Sequence, residues 1–165
     1  MKILCLPALV AGTMLAAVTF AHAQTAAGQM GVSATVAQTC TLSSTPLAFG
    51  TLSTTAVNSG SAVVTLLCNG TSTVTTILVG MGANPAPPTT QRNMIMQSGT
   101  ALVPYTLHVL EAGGADIATD GAVTLVQEGT TDTYSTTIFG KIQPSTGYAM
   151  GAYTDTVVLT AVYAP

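Results

Sequence analysis

The sequence predicts an all-β protein built as an Ig-like β-sandwich. Three observations carry this. Apolar and polar residues alternate in about seven short stretches, separated by Gly, Pro and Asn turns. No stretch keeps the spacing of an amphipathic helix over three turns. The chain holds only three Lys and Arg and six Asp and Glu among 165 residues, so Thr, Ser, Gly and Ala must supply most of its polar surface.

The first residues are read as an address, not as fold. Met1 and Lys2 give a positive start, residues 3–20 are mainly apolar, and Ala21-His22-Ala23 has the small-x-small pattern of a signal peptidase site. The apolar run is too short and too interrupted for a membrane anchor, with Pro7 and Gly12 inside it. Cleavage is expected after Ala23, and Cys5 leaves with the signal. Removing 23 of the 165 residues leaves 142, a length that suits one domain with one core. Arg92 and Lys141 then face six acidic residues, a net charge of −4. No basic patch can form, which excludes nucleic acid and a basic membrane-binding face. So little charge fits a polymer subunit or surface-layer protein better than a dispersed monomer.

Residues 28–39 read as a strand, with Met30, Val32, Ala34 and Val36 on one face and Gly31, Ser33 and Thr35 on the other. Cys40 follows, and Cys68 is the remaining cysteine. An even count in an exported chain predicts a disulfide; two free buried thiols is the alternative. Residues 60–68 alternate, with Ala62, Val64, Leu66 and Cys68 sharing a face. Asn69-Gly70 is a tight-turn dipeptide. It either closes a hairpin or carries the chain to a second sheet, and periodicity does not decide. Residues 71–80 are rich in β-branched residues.

Residues 81–99 hold Pro85, Pro87 and Pro88, which forbid a central strand. A long loop is expected there, with a short extended piece at residues 94–96. Residues 101–110 resume the pattern, placing Val103, Tyr105, Leu107 and Val109 inward and His108 outward. Residues 122–127 and 132–142 make two more strands. Residues 152–163 make the last one, with Tyr153, Val157, Leu159 and Tyr163 on one face and Thr154, Thr156 and Thr160 on the other.

Catalytic chemistry finds no place. A Ser-His-Asp triad would need His108, and no G-x-S-x-G elbow exists. The acidic residues fall in turns and none is marked as a pair. Residues 116–121, D-I-A-T-D-G, lack the alternating oxygens and distal glutamate of a calcium loop. No cofactor is expected, and no metal.

Interaction chemistry remains, at the two ends. An Ig-like sandwich whose chain stops at its sixth strand leaves an apolar groove between open edges. The other end offers a spare alternating strand, residues 28–39. One copy can then donate its strand to the next, head to tail, which builds an open fibre. The alternative is that residues 28–39 form the first strand of their own sandwich, and the residues alone slightly favour that alternative.

From Cys40 onward the chain resembles the spore coat protein U domain family, which includes pilins of archaic, Csu-type chaperone–usher fimbriae. The matching pieces are C-T-L at Cys40, LAFGTL (47–52), VTLLCNGT (64–71), LVPYTLHV (102–109), IFGKIQPSTG (138–147) and GAYTDTVVLTAVY (151–163). GQMGVSATV (28–36) is similar to the family's donor segment. The resemblance implies an incomplete Ig-like β-sandwich lacking its last strand, with an N-terminal donor strand. It divides the chain into a signal peptide (1–23), a donor segment (24–39) and a pilin domain (40–165). It also implies a Cys40–Cys68 disulfide and, as partners, a periplasmic chaperone, an outer-membrane usher and other copies or related pilin subunits.

Carried over by position, Met30, Val32, Ala34 and Val36 become the donor row. Tyr153, Asp155, Val157, Leu159 and Tyr163 border the acceptor groove, on the strand where the chaperone pairs. Ala34 is small for a donor residue, and the proline-rich loop has no counterpart. The competing function is a monomeric secreted β-sandwich binding module for glycans or surfaces. The absence of Trp and the scarcity of other aromatics count against it. A secreted hydrolase ranks last.

Overall fold

The computed structural model describes residues 24–70, 72, 74–86 and 90–164. The expected signal peptide and its cleavage point, apart from Gln24 onward, lie outside the described residues. The chain divides into two units, residues 1–35 and 36–165. In the first, residues 24–35 carry neither strand nor helix. Residues 36–39 carry none either, so residues 28–39 do not form the first strand of their own sandwich.

The second unit is all β among its described residues. It holds ten strands: β1 Cys40–Ser44, β2 Asn58–Cys68, β3 Val74–Val79, β4 Arg92–Met96, β5 Leu102–His108, β6 Gly121–Thr124, β7 Val126–Gln127, β8 Thr133–Ile142, β9 Tyr153–Thr154 and β10 Leu159–Ala164. One sheet runs β1-β2-β8-β5-β4-β9, with β7 also on β8; the other runs β10-β3-β6. All the pairings are antiparallel.

The core lies where the inward rows of the two sheets meet. Val64 and Leu66 of β2, Tyr105 and Leu107 of β5 and Ile138 and Ile142 of β8 face Ile77 and Val79 of β3 and Val123 of β6. Alternation thus places the residues of β2 as expected, with Ala62, Val64, Leu66 and Cys68 all buried. The Asn69-Gly70 turn is resolved in favour of a passage between sheets, because β2 and β3 lie in different ones.

Two stretches that read as single strands are each divided between sheets. Residues 121–124 pair with β3, and residues 126–127 pair with β8, with buried Leu125 at the crossing. Residues 153–154 pair with β4, and residues 159–164 pair with β3. The inward row continues across both breaks, so hydrophobic alternation gives no sign of them.

The strand at residues 101–110 ends earlier than its pattern. Gly113 donates its amide to Leu110 at 2.9 Å, closing a turn that leaves Val109 exposed. His108, expected outward, is only 7% exposed. Its ring sits between the Thr106 hydroxyl at 2.8 Å and the Ala115 carbonyl at 3.2 Å. The turn that follows folds back over the ring, and this overrides the alternation.

The proline-rich region contains β4, longer than the short piece expected, and it delivers Arg92 to the core at 2% exposure. A buried guanidinium is tolerated only when its donors are satisfied. Here Nε donates to the Gly80 carbonyl at 2.9 Å, and Nη2 donates to Val79 at 3.2 Å and Ala118 at 3.1 Å. Nη1 donates to Ile117, with Asp116 Oδ1 at 3.7 Å. One side chain thereby ties β4 of the large sheet to the end of β3 in the small one.

Cys40 and Cys68 face each other across the β1–β2 ladder and are joined in a disulfide. Asn69 strengthens the same corner. Its Oδ1 accepts the Thr39 amide at 2.7 Å, its Nδ2 donates to the Ala37 carbonyl at 3.2 Å, and Gln38 Nε2 donates to Gly70 at 3.0 Å.

Reducing the disulfide should lower the folding free energy by about 3.5 kcal/mol, since it closes a loop of moderate length. The measurement is the urea midpoint of oxidised against reduced protein. Arg92→Ala should be about as damaging, at about 3–5 kcal/mol, because it removes a buried guanidinium on which several carbonyls converge. Arg92→Lys should restore little, since one ammonium cannot reach all four carbonyls.

Candidate functional site: an open groove between two sheet edges

β1 is one edge of the large sheet and β10 one edge of the small sheet, and neither strand has a ladder partner on its outer side among the described residues. Between these edges lies a cavity of about 400 Å³. One wall is the segment after β1, with Thr45, Leu47 and Phe49. The other is the stretch from Tyr153 to Leu159, with Asp155 and Val157 between. Ala62, Val64, Val79, Leu107 and Ile138 form an apolar floor. A second cavity of about 700 Å³ continues past Leu47, Phe49, Met94 and Tyr153 toward Leu52, Tyr148 and Met150.

The size decides how this space is to be read. A closed apolar void destabilises by about 24 cal/mol per Å³. Sealed and empty, 400 Å³ would therefore remove about 10 kcal/mol. That equals the whole stability of an ordinary domain. The space is instead open along its length, as a site for an occupant must be.

The first wall is seated on two glycines. Gly60 of β2 and Gly140 of β8 are directly paired. A Cβ at Gly60 would lie 2.6 Å from the Ala48 carbonyl oxygen, and one at Gly140 would lie 2.7 Å from Phe49 Cζ. Only a bare backbone lets residues 47–49 lie this close to the sheet. Phe49 then reaches Tyr105, ring centroids 6.1 Å apart at a 57° tilt.

The second wall crosses from one sheet to the other. Residues 155–158 belong to neither ladder, and Gly80 donates its amide to Val158 at 2.9 Å. Asp155 sits at this crossing. Its Oδ2 accepts the Tyr105 hydroxyl at 2.6 Å, and its Oδ1 accepts the Ala83 amide and the Asn84 Nδ2, each at 2.9 Å. Burial, and then the bond to Asp155, push the Tyr105 phenol well above its ordinary range, so it remains a donor at any ordinary pH.

Of the predicted acceptor residues, Tyr153, Asp155, Val157 and Leu159 line the groove together. Tyr163 continues the same row on β10 but lies beyond the cavity and is exposed. The predicted donor residues fall in the first unit, with Val36 at the start of the second. Met30, Val32 and Val36 are 85%, 83% and 88% exposed, and Ala34 is exposed as well.

Leu47, Phe49, Met94 and Tyr105 were not assigned to the site from sequence. The alternation L-A-F with glycines at 60 and 140 is the signal that could have marked the first wall. No cluster of three His, Cys, Asp or Glu side chains able to hold a metal occurs among the described residues.

The Spore Coat Protein U domain model matches residues 26–160. The chain belongs to that family. Among solved structures, this Spore Coat Protein U domain is similar to a chain in the CsuC–CsuE chaperone-tip adhesion subunit pre-assembly complex. That complex comes from the archaic chaperone-usher Csu pili of Acinetobacter baumannii. The TM-score is 0.55 and the identity 21%, a likeness of fold. The match covers 77% of this chain and 40% of that one, so this chain corresponds to less than half of the other's length. No curated protein matches.

Gly60→Ala in this domain should cost about 1–3 kcal/mol, because the Ala48 backbone must move. Hydrogen exchange should show faster opening of residues 45–52 in that variant, while β3 and β6 keep their protection.

Proposed function

We propose that this protein is a structural subunit of a surface fimbria, assembled by the chaperone–usher route through donor-strand complementation. One observation carries the reading. The same chain presents an apolar groove between two unpaired edges and an exposed alternating segment of matching character. β-Strand addition joins two such features, with main-chain hydrogen bonds giving strength and alternate side chains giving fit. The row Met30, Val32, Ala34 and Val36 of one copy fills the groove of the next. The chain's own pairing of a free strand with a free groove makes the assembly head to tail and open-ended.

The free energy comes mainly from burying that row. A fully buried Met or Val contributes about 1.5–3 kcal/mol, so Met30, Val32 and Val36 together outweigh the small share of Ala34. The reverse step requires a subunit to open along its groove, which makes the fibre long-lived. Before assembly the groove is covered by a strand of a periplasmic chaperone, and an outer-membrane usher exchanges that strand for the next subunit's segment. The protein is exported with its signal peptide cleaved after Ala23, acts as a structural protein and not as an enzyme, and supports adhesion or biofilm formation. Its low charge and Thr-rich surface suit close packing of many copies.

The test is co-expression of the chain with its chaperone, with and without residues 24–39, followed by electron microscopy and unheated gel electrophoresis. The truncated protein should stay in the chaperone complex and form no fibres. Val32→Asp should do the same, since a carboxylate cannot be buried unpaired in the groove. Fibres formed by the truncated chain would overturn the reading.

A further inference from the structure

The groove wall from residue 153 to residue 164 has a weak point. Its two ends are held by ladders, β9 on β4 and β10 on β3. Residues 155–158 between them have no ladder, yet residues 155–157 line the groove. The Gly80 amide holds Val158 next to β10, but no backbone ladder orders residues 155–157 ahead of it. Any strand arriving at that edge would then have to order them, at an entropy loss of about 1–2 kcal/mol per residue.

Asp155 stands at this point, and its environment is costly to build. It is the one carboxylate in an inward row otherwise made of Tyr153, Val157, Leu159 and Ala161. A charged group in an apolar row is unfavourable unless hydrogen bonds compensate it. Three donors converge on it, from Tyr105 on β5 and from Ala83 and Asn84 in the loop after β3. The loop itself is shaped for the contact. Gly82 has φ of +100°, and a Cβ there would lie 2.3 Å from Asp155 Oδ2. Asn84 Nδ2 also reaches the Thr154 carbonyl at 3.5 Å. The carboxylate thus pins the crossing both to the large sheet, through β5, and to the end of the small one.

We propose that Asp155 is a positioning residue for strand acceptance. It clips the crossing so that the free edge of β10 and the side chains of Val157 and Leu159 stand in place before a strand arrives. The inference rests on the donor-strand reading above and adds a role to it. Pre-ordering a binding edge raises affinity by removing an entropy loss on binding, without adding any contact to the ligand. Asp155 acts through the wall it holds and not by touching the incoming backbone.

The experiment uses the full chain carrying Val32→Asp, so that its own segment does not compete, and a fluorescent synthetic peptide of residues 24–39. Peptide affinity and association rate are read by anisotropy, and the folding midpoint by urea titration. Asp155→Ala should weaken binding about ten-fold or more, the entropy loss of ordering one residue or more of the crossing when the strand binds. Val123→Ala is the control. Val123 is buried in β6, at the far edge of the small sheet from β10, so its loss lowers the midpoint without loosening the wall.

Asp155→Asn keeps the shape and one acceptor, and should recover part of the affinity. It also carries the test, through a smaller but measurable loss, if the alanine variant does not accumulate. Equal affinity in the Asp155 variants and in Val123→Ala would overturn the proposal while leaving donor-strand assembly intact. A parent chain that does not bind the peptide at all would overturn donor-strand assembly, and this role with it.

Discussion

A strand at the edge of a sheet carries a row of N–H and C=O groups that no neighbour satisfies. In water such a row is tolerable; beside an apolar groove it is a strong invitation to pair. The sandwich of this Spore Coat Protein U domain has two such rows, on β1 and β10, and one residue of each, Ser44 and Leu159, lines the same open space. Every other feature of the domain keeps that space open and shaped. A β-sandwich would ordinarily collapse toward a smaller cavity, because each exposed apolar atom favours burial. Here the sheets must be held apart on one side and together on the other.

The holding is done by a few local devices. The Arg92 guanidinium ties the large sheet to the end of β3 and to residues 117–118 through four carbonyls. The disulfide and the Asn69 side chain fix the corner where residues 37–39 lead into β1. Gly60 and Gly140 let one groove wall lie flat on the sheet, and Asp155 fixes the other as it crosses between sheets. Each device uses a covalent bond, hydrogen bonds or missing side chains, not added apolar bulk. That is consistent with a chain in which bulk at the groove would block the occupant.

Much of this was legible in the sequence, and the failures share one cause. Alternation placed the inward face of β2, and that of β5 as far as Leu107, because a strand's two faces are set by local geometry. It also kept Tyr153, Asp155, Val157 and Leu159 in one row. It did not show that residues 121–127 and 153–164 each change sheets, because the inward row is continuous across the change. It placed His108 outward, because it does not see the turn that returns at Ala115 to cover the ring. Arg92 lay in a segment dominated by prolines, and nothing in its neighbours announced that four carbonyls from distant residues would converge on it.

Local patterns were enough to establish the all-β class, the inward rows of β2 and of residues 153–159, the pair of cysteines and an alternating segment ahead of Cys40. These follow from properties that act within a few residues: side-chain period, turn chemistry and the count of thiols. The fold was needed to show that β1 and β10 are both edges, that Ser44 and Leu159 on them line one groove, and that residues 28–39 carry no strand. Those facts depend on which strands pair over long separations. Pairing is chosen by the packing of the whole core, and no local pattern encodes it.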